Sequence, residues 1–109
     1  LIENETIDAV TVITFRKGAA RGNHYHKNTT QWNYLLSGKI KLVTQVPDKN
    51  IVETFMEPGD FTMTVPNERH ALFASEDAKL MVFTKGPRGG KEYENDTFRL
   101  DKVLIESEI

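Results

Sequence analysis

The sequence predicts an all-β domain, a sandwich or small barrel, carrying a C-terminal arm. Three observations lead there. Apolar and β-branched residues come in short runs with a period of two, the repeat of a strand with one buried face. Turn-forming residues punctuate these runs at intervals of about ten residues, as in sandwiches and barrels. No stretch before Lys85 carries sustained helical spacing. A chain of 109 residues suits one core, so a single domain over 1–109 is expected, with its β core at about 9–85 and the arm at about 86–109.

The elements follow in order. Residues 9–15 contain Val10, Thr11, Val12, Ile13 and Thr14, side chains that fit a pleated surface. Lys17-Gly18 ends this strand, and Arg21-Gly22-Asn23 reads as more of the same loop. Residues 31–36 form a second run, closed by Ser37-Gly38. The very short step into 39–46 predicts a hairpin. There Ile40, Leu42, Thr44 and Val46 share one face, and Lys39, Lys41 and Gln45 the other. Pro47-Asp48-Lys49-Asn50 turns, because proline presets one dihedral while Asp and Asn tolerate the rest. Residues 51–56 follow, then Glu57-Pro58-Gly59-Asp60. In 61–65, Phe61, Met63 and Val65 alternate with Thr62 and Thr64 and are expected to fill the interior. Pro66-Asn67-Glu68 turns into 70–74, and Glu76-Asp77 into 79–84. Closing so many strands into a barrel would remove exposed edges.

The stretch Gly86-Pro87-Arg88-Gly89-Gly90-Lys91 is a loop. It fails as a phosphate-binding loop, because the spacing from Gly86 to Gly90 is too short and Glu92 stands where a hydroxyl is required. The acidic remainder keeps Phe98, Leu100, Val103, Leu104 and Ile105 as apolar content. It is open to a strand at 98–100 or a short packed helix.

Fourteen Lys and Arg against sixteen Asp and Glu give a net charge of -2, which argues against a nucleic-acid-binding domain. No run approaches the length of a membrane span. The absence of cysteine removes disulfides, thiolate metal sites and cysteine nucleophiles, and fits a cytoplasmic protein. The chain opens on Leu1 rather than Met, so its native start is expected upstream.

The chemistry concentrates in three histidines. His24 and His26 are separated by one residue, so in an extended segment both rings face one side and Tyr25 faces the other. Gln31 can lie beside the pair across a hairpin, and His70 starts a later strand after a tight turn. These groups can converge inside an apolar barrel. By itself an H-x-H pair is common by chance, and His70 by itself reads as a satisfied histidine at a barrel mouth.

The punctuation around them resembles the two motifs of the cupin superfamily. Gly18, five residues, His24, one residue, His26, four residues, Gln31, six residues, Gly38 is similar to the first, with Gln31 where glutamate is usual. Gly59, Pro66, Asn67 and His70 are similar to the second, one residue longer and with Asn67 in place of a glycine. Asn tolerates the left-handed backbone that such a turn needs. The resemblance covers about 13–83 and implies a double-stranded β-helix, the cupin jelly-roll barrel. It implies a metal held by His24, His26, His70 and, at the glutamate position, the amide oxygen of Gln31. An uncharged ligand set would leave the ion its full charge and favour a more acidic bound water. Imidazoles disfavour magnesium and calcium and suit a divalent transition metal: iron, nickel, zinc, cobalt or manganese.

A finer resemblance concerns Arg21-Gly22-Asn23-His24-Tyr25-His26-Lys27. It is similar to a segment of cupins acting on nucleotide-linked keto sugars, the 3,4-ketoisomerases and 3- or 3,5-epimerases, which also carry Gln at the Gln31 position. Residues 79–84 and 93–100 resemble the ending of the same group. The implied reaction is proton abstraction beside a carbonyl, with His24 or His26 as the base and the other orienting it or stabilising the enolate. In the ketoisomerases the pair is thought to work without a metal. Arg21 would contact a diphosphate oxygen. Asn33, on the Gln31 face, would enter the cavity, and Arg88 would reach an anionic substrate. Trp32 and Tyr34, on the opposite face, would pack between the sheets or at a subunit contact. The expected partner is a small molecule, a sugar nucleotide on this reading, with no nucleic acid and no membrane. Many small cupins are homodimers, and the same is expected here. Two other readings stay open: an iron(II)-dependent dioxygenase and a non-catalytic small-ligand module.

Overall fold

The structure is a computed structural model that describes residues 2–87 and 90–109. The expectation for Arg88 lies outside the described residues. Eight strands form the body: β1 (Ala9–Phe15), β2 (Ala20–Tyr25), β3 (Thr30–Ser37), β4 (Ile40–Gln45), β5 (Val52–Met56), β6 (Phe61–Thr64), β7 (Arg69–Ala74) and β8 (Ala78–Lys85). The arm adds a short helix, α1 (Gly90–Asn95), and a two-residue strand, β9 (Phe98–Arg99), so both of its expected forms occur. The strands pair antiparallel in two sheets, ordered β1-β8-β3-β6 and β5-β4-β7-β2-β9. They face each other as a jelly roll. Among the described residues, no helix is long and apolar enough to cross a membrane.

Between the sheets lies a core of Phe15, Leu35, Ile40, Leu42, Met56, Leu72 and Leu80, all buried. Each comes from the inward set of its strand, as the alternation required. Ile40, Leu42 and Thr44 are indeed inward.

Three expectations are corrected. β3 and β4 do not form a hairpin, for they belong to different sheets. Their short connection instead crosses the corner between the sheets. Gly38 makes the crossing possible: its φ is +84°, and a Cβ there would run into the Asp77 carbonyl oxygen and Ala78 Cα. Gly38→Ala is therefore expected to cost about 2 kcal/mol or more. A thermal melt should show a midpoint lower by about 10 °C, and an unchanged midpoint would contradict this account of the corner.

The second correction concerns Phe61, Met63 and Val65, which face outward at 40%, 52% and 40% exposure. The strand alternates as expected, with the opposite face turned inward. Pairing with β3 sets Thr62 opposite Asn33 and Thr64 opposite Gln31, so the hydroxyl residues of β6 take the inner face. Trp32 and Tyr34 share the outer face with Met63 and Phe61, and do not pack between the sheets.

Third, Arg21-Gly22-Asn23 is strand and not loop. β2 pairs with β7 through a bulge between Gly22 and His24, where Gly22 and Asn23 take φ of +88° and +56°. One extra residue is absorbed without ending the ladder.

Candidate metal and substrate site

That bulge builds the site. It leaves His24 directly opposite His70 on β7. The two backbones are so close at Gly22 that a Cβ would lie 3.0 Å from the His70 carbonyl oxygen. His26 follows the end of β2 and is buried, as is His70. Ring centroids are 4.7 Å apart for His24 and His26, 4.7 Å for His24 and His70, and 5.4 Å for His26 and His70. Each ring offers a nitrogen, and the three nitrogens lie within 4.8 Å of one another. Tyr25 turns to the other side, where its ring stacks on Phe98 at 5.2 Å and Arg69 lies 4.2 Å from its centroid. Asn67, at φ +72°, shapes the turn before His70, and its backbone N–H donates to the His26 carbonyl at 2.6 Å.

Two of the rings have their tautomer fixed. His26 Nδ1 lies 2.9 Å from the Asp96 carbonyl oxygen, and His70 Nδ1 lies 3.2 Å from that of Glu68. A carbonyl only accepts, so each Nδ1 carries the proton and each neutral ring keeps its lone pair on Nε2. A metal-binding histidine is commonly held this way, and so is a histidine that must accept a proton. The donor set therefore fits a divalent transition ion, with three imidazoles and no carboxylate among these ligands.

A cavity of about 90 Å³ opens beside the triad, lined by Arg21, His24, Gln31, His70 and Tyr93 among others. Arg21 reaches it because Arg21 pairs with the inward Leu72. Gln31 faces the histidines from the opposite sheet and not from a hairpin neighbour. Its amide donates to Asn33 Oδ1 at 2.8 Å, and Asn33 in turn donates to Thr62 at 3.3 Å. Asn33 is fully buried and holds Gln31 in place, one layer away from the cavity lining.

Two residues of the arm belong to the site without having been expected there. Tyr93, on α1, lines the cavity, with its ring 5.6 Å from that of His26. Asp96 is buried, and its carboxylate accepts from the backbone N–H groups of Lys27 and Asn28, each at 3.0 Å, and from the Thr29 hydroxyl at 2.8 Å. The same residue thus pins the turn after His26 and orients the His26 ring. Asn23 secures the arm further along, accepting from Leu104 N–H at 2.8 Å and donating to the Ile105 carbonyl at 3.1 Å. In the sequence, Asp96 is one acid among many and Tyr93 one aromatic in a polar tail, so no local signal marks them.

The sequence matches the family model described as Cupin domain over residues 11–84. This chain belongs to the cupin family. No curated protein matches it in sequence. Among solved structures, this cupin is similar to the capsular polysaccharide assembling protein CapF of Staphylococcus aureus, with a TM-score of 0.75 and 19% identity over 84% of this chain and 26% of that one. It is also similar to a sugar 3,4-ketoisomerase from Thermoanaerobacterium thermosaccharolyticum in complex with TDP, with a TM-score of 0.71 and 22% identity over 87% of this chain and 68% of that one. For a 3,4-ketoisomerase from Helicobacter canadensis the TM-score is 0.75 and the identity 21%, over 87% and 70% of the two chains. At these identities the likeness is one of fold, and the chain spans only about a quarter of CapF.

Proposed function

We propose that this cupin moves a proton at the carbon beside the carbonyl of a nucleotide-linked keto sugar, as an isomerase or epimerase. The observation that carries the reading is the triad itself: converging imidazoles, two of them fixed with the lone pair on Nε2, beside a cavity that also presents an arginine. His24 lines that cavity and is the base, returning the proton as the acid. His26, held by the Asp96 carbonyl, orients it. Arg21 grips a diphosphate oxygen in the bidentate manner open to guanidinium. Tyr93 covers one side and excludes water. The cavity takes only the reacting part of a sugar ring, and the nucleotide lies at the mouth. His24, His26, His70 and the amide oxygen of Gln31 would hold an iron, nickel, zinc, cobalt or manganese ion. When bound, such an ion acts as a Lewis acid toward an enolate oxygen.

The test uses TDP-4-keto-6-deoxyglucose, the compound held by a variant of the Thermoanaerobacterium enzyme. Incubation in deuterium oxide should place deuterium beside the sugar carbonyl, as read by NMR. Absence of wash-in across several nucleotide-linked keto sugars would end this reading. Oxygen uptake dependent on added iron(II) would put a dioxygenase in its place.

We also propose that two copies pair through the outer face of the β1-β8-β3-β6 sheet. Cross-strand register lines up Val10, Phe83, Trp32 and Met63 in one row, and Val12, Met81, Tyr34 and Phe61 in the next. No charge interrupts the rows, so a second copy meets no repulsion there. Val10 and Val12 are more than half exposed, an apolar patch unusual on a monomer. Met63→Lys should convert a dimer to a monomer in light scattering, and a wild type that is monomeric at every concentration would refute the pairing.

A further inference from the structure

The inner wall facing the histidines is more polar than a packed core requires. Gln31 sits between Thr64 on β6 and Thr84 on β8, each its direct register partner and on the same inward face. Directly opposed residues on neighbouring strands carry their Cβ atoms about 5 Å apart. The three side chains therefore form one continuous row beneath the cavity that Gln31 lines. Thr64 and Thr84 are 2% and 1% exposed. Neither hydroxyl has a hydrogen-bond partner among the described residues. Thr62, one layer away on the same wall, differs, for its hydroxyl accepts from Asn33 and contacts Met56 sulfur.

A buried hydroxyl with no protein partner weakens the folded state, whereas valine has the same shape without that cost. Valine suits strands at least as well as threonine. Two such hydroxyls flanking one cavity-lining amide call for a ligand. We infer that Thr64, Gln31 and Thr84 form a subsite for the oxygens of a hydroxyketone. The two hydroxyls can donate to a carbonyl or accept from a hydroxyl, and the Gln31 side chain contributes a third polar group between them. The subsite fixes the face of the ring presented to the histidines. This inference deepens the keto-sugar reading and rests on the same cavity, but a smaller probe tests it apart from any nucleotide.

That probe is hydroxyacetone, titrated into protein carrying labelled threonine methyl groups. The Thr64 and Thr84 methyl signals should shift together and saturate, while threonines on the outer face stay still. Thr64→Val and Thr84→Val should leave the melting midpoint unchanged or higher, and Thr62→Val should lower it. Each of the first two should weaken hydroxyacetone binding at least tenfold. Should the wild type bind the probe in this way yet show no deuterium wash-in with sugar nucleotides, the subsite stands and the proposed reaction falls. No saturable shift at the two methyls, or a falling midpoint in both valine variants, overturns the subsite.

Discussion

His24→Ala is expected to reduce deuterium wash-in by about 10²- to 10⁴-fold, the range for removal of a positioned acid–base group. The same variant should melt close to the wild type. His24 is half-buried and stands outside the apolar core, so its removal opens no large void there. His26→Ala makes the contrast. It should also lose activity, but its ring is buried and takes the Asp96 carbonyl as a partner, so its midpoint should fall by about 5–15 °C. A wild-type rate in His24→Ala would remove it as the base. Nickel or zinc supplied at about a hundred times its dissociation constant should stabilise the wild type by about 2.7 kcal/mol, and neither variant to that degree. If no ion shifts the wild-type midpoint while wash-in persists, the histidine pair works by proton transfer alone.

What could be read from the sequence was what local geometry fixes. The shared direction of His24 and His26, and the opposite direction of Tyr25, follow from a two-residue period that holds wherever backbone is extended. The convergence of His70 came from motif spacing, and the left-handed Asn67 from side-chain chemistry. Harder were choices that only a partner strand decides. Periodicity splits 61–65 into two faces without saying which is inside. The usual rule sends Phe61 and Met63 inward, but here the inner wall serves a polar cavity and takes Thr62 and Thr64. A short Gly-containing connection looks alike whether it joins a hairpin or turns a corner between sheets, so the fate of Gly38 depended on Asp77 and Ala78, distant in sequence. Gly22 and Asn23 look like loop residues because both accept positive φ, and a bulge uses the same property inside a strand.

The arm was the least legible part, and it carries the largest expected effect on stability. Asp96→Ala removes one carboxylate and leaves the Lys27 and Asn28 N–H groups and the Thr29 hydroxyl without their acceptor. Thr29 is buried, and the two N–H groups are partly so. At roughly 1–3 kcal/mol for a fully buried orphan and less where water can enter, the sum is about 3–5 kcal/mol. That is a large share of the total stability of about 5–15 kcal/mol for a domain. A urea titration should record it as an earlier midpoint with a similar slope. The loss should not stop at stability. The main chain of Asp96 supplies the carbonyl that fixes His26, so freeing its side chain loosens the partner of a metal ligand. Such loosening typically lowers metal affinity about 10- to 100-fold. Asp96→Asn keeps the shape and one acceptor oxygen, and should fall between wild type and alanine in both measurements. Stability and metal affinity declining in the same order across the two variants would make residues 90–96 part of the site. Wild-type metal affinity in a destabilised Asp96→Ala would instead mean that β2 and β7 alone hold His26 in place, and that the arm serves the fold without serving the chemistry.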